Sequence, residues 1–188
     1  MLKETRPKFE LLIAGLGGMG VLVAGRLLAS AGARTYKHVC WVPSYATERR
    51  GGLSECTVVL SHDEIASPIL SKAQAVMLLD GSQLPAFESR VRPGGLMIVE
   101  SAALRESPSR TDFRLLPVSG LDIAMAMGTA VVNNLILLGV YTELVKPLPA
   151  AEIETELEAT FADRRPVLER NREAFRKGVE LGKEIDRQ

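Results

Sequence analysis

The chain has 188 residues, 46% of them apolar, and its 23 basic and 23 acidic side chains balance to a formal charge of zero. That length and apolar content suit one domain with a substantial core. The balanced charge leaves no electrostatic footprint for nucleic acid or an acidic membrane surface, and no apolar run reaches the roughly 18 residues of a membrane span.

The opening, MLKETRPKFE, is polar and shows no signal-peptide pattern. Residues 9–14 read as a first strand, and residues 20–31 as a helix with Val21, Ala24, Leu28 and Ala31 on one face and Gly32 as its stop. Strands follow at 36–42 and 53–60, the latter with Cys56, Val58 and Leu60 alternating against Thr57 and Val59. AVMLLD (75–80) and GGLMIVES (94–101) read as buried strands, and 112–117 as an edge strand. Strands alternating with helices predict an α/β fold: a Rossmann-like, doubly wound, largely parallel sheet with helices on both faces. Residues 121–145 are apolar nearly all round, which predicts a buried helix from about Thr129, interrupted near Gly128 and covered by C-terminal helices or a second chain. After the linker LVKPLPA, Ile153, Leu157 and Phe161, then Leu168, Phe175 and Val179, mark amphipathic C-terminal helices. The expected organisation is a single domain over 1–188, with a core at about 9–146 and a C-terminal helical segment at about 151–187.

The first loop carries the first chemical signal. Gly15, Gly17 and Gly20 satisfy G-x-G-x-x-G between a strand and a helix, with Gly18 and Met19 inside the loop. Such glycines permit a tight turn, close approach of a ligand to backbone, and close helix–strand packing. Amides at the helix start favour an anion. An NAD enzyme also needs Asp or Glu about 20 residues on, to hold the ribose. Here that region reads KHVCWVPSY, without an acid, and Arg34 precedes the strand instead of following it. A stand-alone nicotinamide oxidoreductase is therefore disfavoured. The loop is either an anion cradle or a packing device.

The second signal is VPSYATERRGGLSECTVVLSHDEIASP, residues 42–68. Ser44 and Tyr45 leave a strand, and Arg49 and Arg50 stand beside two glycines. Adjacent arginines suit phosphate or carboxylate capture, or an ion pair across an interface. The plainer alternative is a solvated loop with Glu48 paired to an arginine, which contributes little. In a doubly wound sheet the loops that leave successive strands gather at the carboxyl edge. The two signals are thus expected to converge there. Elsewhere, Cys40 and Cys56 form no C-x-x-C, and His38 and His62 have no ligand spacing. No metal or cluster is expected on this chain, and two free thiols suit a reducing cytoplasm.

Together GLGGMGVLVAGRLLASAG, PSYATERRGGLSECTVVLS and IASP resemble the gamma subunit, or gamma domain, of the 2-oxoacid:ferredoxin oxidoreductases. The resemblance extends from about Phe9 to Gly182. It includes Asn134 in VVNNLILLG and a late motif met by Asn171, Ala174, Phe175 and Gly178. Two positions depart from the family pattern: Ala46-Thr47 replaces its Gly-Pro, and Met19 its usual Gln. The R-G-G form followed by LSECTV looks most like the 2-oxoglutarate branch. The resemblance implies a multisubunit enzyme that converts a 2-oxoacid and coenzyme A to acyl-CoA, with ferredoxin as acceptor. Thiamine diphosphate, Mg and iron–sulfur clusters would lie on the alpha and beta subunits, with or without a delta subunit. This chain would not be catalytic by itself. Gly15, Gly17, Gly18, Met19, Gly20, Ser44, Tyr45, Arg49 and Arg50 would shape the CoA site; the alternative is an assembly subunit without a ligand.

Overall fold

The computed structural model describes residues 7–45 and 52–187. Along the chain come β1 (Lys8–Leu16), α1 (Val21–Gly32), β2 (His38–Tyr45), β3 (Leu53–Ser61), β4 (Ala73–Leu78), α2 (Leu84–Phe87), β5 (Val91–Glu100) and β6 (Arg114–Val118). They are followed by α3 (Gly120–Ala126), α4 (Asn133–Val145), α5 (Ala150–Phe161) and α6 (Arg165–Asp186). The six strands form one sheet in the order β2-β3-β1-β4-β5-β6. β1, β4, β5 and β6 pair in parallel, whereas β3 runs antiparallel to both β1 and β2. The sheet is therefore largely parallel, as the alternating pattern predicts, with β3 as the one reversed strand.

That reversal follows from chain length. The segment between β2 and β3 is too short to hold a crossover helix, so the two strands can pair only as a hairpin. β3 then fills the gap between β2 and β1. Its register sets Ser54 opposite both Gly15 and Tyr45. The end of β2 and the start of β3 consequently lie at the same sheet edge as the loop that leaves β1.

Alternation along β1 divides the core. Leu11 and Ile13 face α1, α4, α5 and α6, with Met77 and Ile98 beside them. Leu12 and Ala14 face the other way, toward Leu84 and Phe87 of α2 and Met97 and Val99 of β5. Helices thus cover both faces, but the long ones lie on one.

α4 is buried from Asn133 to Thr142. Its cover comes from the same chain. A Cβ on Gly139 would lie 2.3 Å from the Phe175 carbonyl oxygen of α6, and backbone-to-backbone contact continues at Gly178 against Ile136. The all-round apolarity of this helix is thus accounted for within the chain and is no indication of a partner. The interruption expected near Gly128 falls where α3 ends, with Gly128 at φ 85°. Gly32, expected as a stop, is the last residue of α1 and brings the helix close to β3: a Cβ there would meet Leu60 Cδ2 at 2.5 Å. Among the described residues no helix is long and apolar enough to cross a membrane.

Candidate functional site at the carboxyl edge of the sheet

The ends of β1, β2, β4, β5 and β6 and the start of β3 share one edge. The loop after β1 is joined directly to the hairpin, because the Gly17 amide donates to the Gly52 carbonyl at 2.9 Å. Gly15 lies on β1, and Ser44 and Tyr45 end β2 two strands away, roughly 10 Å across the sheet. The expected convergence of the glycine loop with the Ser44–Tyr45 end of β2 is therefore present. Arg49 and Arg50, with Glu48, lie outside the described residues. Glu55, the other nearby acid, is engaged elsewhere: its Oε2 lies 3.5 Å from Arg90 Nη1.

The glycine loop is less open than its spacing suggests. An anion cradle would present free amides from Gly17 to Gly20, and two of these positions are already paired. Besides the bond from Gly17, the Met19 amide donates to the Leu16 carbonyl at 3.2 Å. The Met19 side chain also folds back, so that its Sδ accepts from the Leu16 amide at 3.4 Å. The physical reason is the tightness of the turn, which closes on itself and on the neighbouring hairpin before any ligand arrives. Gly18 is the exception. It is exposed at φ 96°, and a Cβ there would meet nothing within 4 Å.

α1 starts where the motif predicts. Gly20 is its N-cap at φ 81°, and its carbonyl accepts the first helical bond from Ala24 at 3.0 Å. The same carbonyl accepts a second bond, from Asn134 Nδ2 of α4, at 3.1 Å. Glycine is required here on both counts, since a Cβ would lie 2.4 Å from Asn134 Nδ2 and the backbone is left-handed. The neighbour that excludes a side chain is thus α4, and not β1 as the motif's usual helix–strand packing suggests. Gly15 serves the helix–strand contact: a Cβ there would lie 3.3 Å from Val21 Cγ2 of α1, and 3.0 Å from Leu79 Cβ just past β4.

The β5 and β6 ends are fastened by a buried carboxylate. Glu100 accepts from the Ala102 amide at 3.0 Å and from the Leu121 amide at 2.8 Å. Ser101 and Ser119 hydroxyls meet at 3.0 Å. These groups hold the loops. Cys56 is buried beneath α1, where its thiol lies 3.6 Å from the Val21 carbonyl, and burial pushes its pKa up to about 12. It stays protonated and is a packing residue, not a nucleophile. Cys40 belongs to the opposite core layer.

Residues Gly52 and Asn134 were not legible as parts of this site. Gly52 acts through its backbone oxygen, which has no side-chain signature. Asn134 stands out in VVNNLILLG as a polar residue inside an otherwise apolar helix, but nothing in the sequence points to Gly20 as its partner.

Known proteins share this architecture. Residues 10–181 match the pyruvate ferredoxin/flavodoxin oxidoreductase family. The ketoisovalerate oxidoreductase subunit VorA of Methanothermobacter thermautotrophicus is 32% identical over 179 residues, covering 95% of this chain and 37% of that protein. The chain therefore spans little more than a third of that relative's length. The 2-oxoglutarate synthase subunit KorC of Archaeoglobus fulgidus is 30% identical over 173 residues, covering 92% of this chain and 87% of KorC. Among solved structures, the gamma subunit of a keto/oxoacid ferredoxin oxidoreductase from Geobacter sulfurreducens superposes with TM-score 0.78 at 24% identity, covering 93% of this chain and 98% of that one. The 2-oxoglutarate:ferredoxin oxidoreductase of Magnetococcus marinus, solved with 2-oxoglutarate, coenzyme A and succinyl-CoA, gives 0.85 at 22% identity, covering 95% of this chain and 31% of that one. At such identities the two structures establish the shared fold. The family match spans nearly the whole of the folded chain, both motif loops included, and so this chain belongs to the pyruvate ferredoxin/flavodoxin oxidoreductase family.

Proposed function

We propose that this chain is the gamma subunit of a 2-oxoacid:ferredoxin oxidoreductase of the 2-oxoglutarate branch, and that its carboxyl edge helps to shape the CoA site. The observation that carries the reading is its likeness, along 87% of that subunit's length, to a separate 2-oxoglutarate synthase subunit. In this reading alpha and beta subunits, with or without delta, hold the 2-oxoacid, Mg and iron–sulfur clusters, and ferredoxin accepts the electrons. Thiamine diphosphate, when bound on those subunits, supplies a stabilised carbanion. The contribution of this chain is to bind and orient. Gly18 offers backbone in open space, and the amides of the first turn of α1 face the edge, where an anionic group is favoured. Gly15, Gly17, Met19 and Gly20 shape that turn. Ser44, Tyr45, Arg49 and Arg50 belong to the adjoining hairpin, where an arginine would grip a phosphate through paired bonds.

A second reading, an assembly subunit that binds no ligand, is favoured by one specific feature. Met19 Sδ already occupies the Leu16 amide inside the glycine loop. Reconstitution with Arg50→Ala separates the two. A raised KM for CoA with normal subunit stoichiometry supports the CoA reading, and loss of stoichiometry supports docking. If neither changes while Tm drops sharply, Arg50 is structural and both readings of the hairpin fail.

The chain is further read as one gamma-type domain over 1–188, because Ile153, Leu157, Leu168 and Phe175 of the C-terminal helices share a core with Leu11 and Ile13 of β1. A cytoplasmic location belongs to the same reading, and the two free thiols, Cys40 and Cys56, suit a reducing compartment.

A further inference from the structure

We infer that Asn134 is the positioning residue of the glycine loop: from α4 it fixes the first peptide plane of α1, and so aims the Val21 amide at the carboxyl edge. The geometry carries this in three steps. Asn134 is 4% exposed and its Nδ2 donates to the Gly20 carbonyl at 3.1 Å, across a separation of 114 residues. That carbonyl also accepts the helical bond from Ala24 at 3.0 Å, so it is held by two donors along the helix direction. The Gly20–Val21 peptide is planar and trans, so the Val21 N–H must point opposite to the carbonyl, out of the helix start.

Without Asn134 this orientation would be poorly determined. Gly20 has φ 81°, and glycine populates several backbone regions at little cost. The Gly20 carbonyl would keep only its helical bond. The neighbouring Asn133 does not substitute, since its side chain is directed at Gly120: a Cβ there would lie 2.3 Å from Asn133 Oδ1. Asn133 and Asn134 thus place the first turn of α4 between the loop after β1 and the start of α3. The asparagine in this long apolar helix acts on the edge and is no tolerated accident of the core.

The inference about the loop's conformation stands on the structure alone; its consequence for CoA rests on the reading proposed above. The test uses Asn134→Ala and Asn134→Asp in the full chain and in the reconstituted complex. Asp keeps the size of the side chain but replaces the donor by an acceptor that repels the Gly20 carbonyl. Hydrogen exchange at the Met19 and Ala24 amides, which donate to the Leu16 and Gly20 carbonyls, is expected to accelerate about tenfold in both variants, the loss of roughly one hydrogen bond, while exchange in the centre of α4 changes less. In the complex, KM for CoA is expected to rise with little change in kcat. If exchange accelerates equally throughout α4, α6 and the sheet, Asn134 is a general stability residue and the inference is overturned. If exchange rises only at Met19 and Ala24 but KM for CoA is unchanged, Asn134 positions the loop and it is the CoA reading that fails. Unaltered exchange at Met19 and Ala24 in Asn134→Asp also overturns the inference. Should Asn134→Ala not fold, the Asp variant alone decides.

Discussion

At Gly18 and Gly20 two left-handed glycines stand in one loop, with φ 96° and 81°, yet their surroundings differ. A side chain at Gly18 meets open space, whereas one at Gly20 meets Asn134 Nδ2 at 2.4 Å. Gly18→Ala is therefore expected to cost about 1–2 kcal/mol, the backbone penalty alone. Gly20→Ala is expected to cost clearly more, roughly 3 kcal/mol, because the Asn134 hydrogen bond is displaced as well. Urea denaturation of the two variants checks the ordering; equal losses would contradict this account of Gly20. Cys56 provides a second test at this scale. With its thiol pushed up to about 12 by burial, it should resist alkylation at pH 8 in the native protein and react only on unfolding, as mass spectrometry of labelled peptides would record.

Among the elements, α4 and α6 form the tightest junction. Gly139 and Gly178 let the two backbones touch, and Gly182 continues the contact: a Cβ there would lie 2.7 Å from Glu143 Cβ. Gly178→Val must separate the helices and is expected to cost 3 kcal/mol or more, on the scale of an overpacked core. Thermal denaturation measures this, and a loss under 1 kcal/mol would mean that the helices move apart freely. The glycine of the late motif thus has a packing explanation, as have Ala174 and Phe175, both fully buried. The link from the end of α1 to α5 should behave differently. Arg34 reaches Glu152 at 2.9 Å and Glu156 at 2.8 Å, but its side chain is 38% exposed. Solvent screening limits such a pair, and Arg34→Ala is expected to cost less than about 1 kcal/mol.

For the whole molecule, the acid and alkaline limits have separate origins. Arg176 holds the Glu154 carboxyl below its ordinary value of 4.5, across the junction of α5 with α6. A depressed carboxylate contributes stability above the unfolded value that is lost as pH falls through the folded one. The C-terminal helices should therefore loosen below about pH 4.5, and Glu154→Gln should flatten that part of the profile. At the other limit Cys56 has the opposite sign. Its folded value near 12 lies above the ordinary 9.0, so its contribution is complete below pH 9.0 and is lost as pH rises toward 12. Cys56→Ala should leave the neutral stability lower by a cavity term but remove this part of the alkaline decline. Chemical denaturation at a series of pH values separates the two.

Some of this was fixed by local patterns, and some was not. The start of α1 at Val21, the edge position of β6 and the two-part segment around Gly128 follow from glycine spacing and apolar periodicity, which depend on near neighbours in the chain. Periodicity also marked α4 as buried, but an apolar surface does not name what covers it, and only the folded chain assigns that cover to α6. The motif glycines were legible as a loop, while their openness was not. Whether an amide is free depends on carbonyls brought from elsewhere, such as Gly52, and on the fold-back of Met19. The Gly20–Asn134 bond joins residues 114 apart in sequence, a distance at which no local spacing carries information. The chain by itself determined the elements and the family of loops; the tertiary structure decided which hydrogen-bonding groups remain for a ligand, because burial and pairing are properties of the assembled edge.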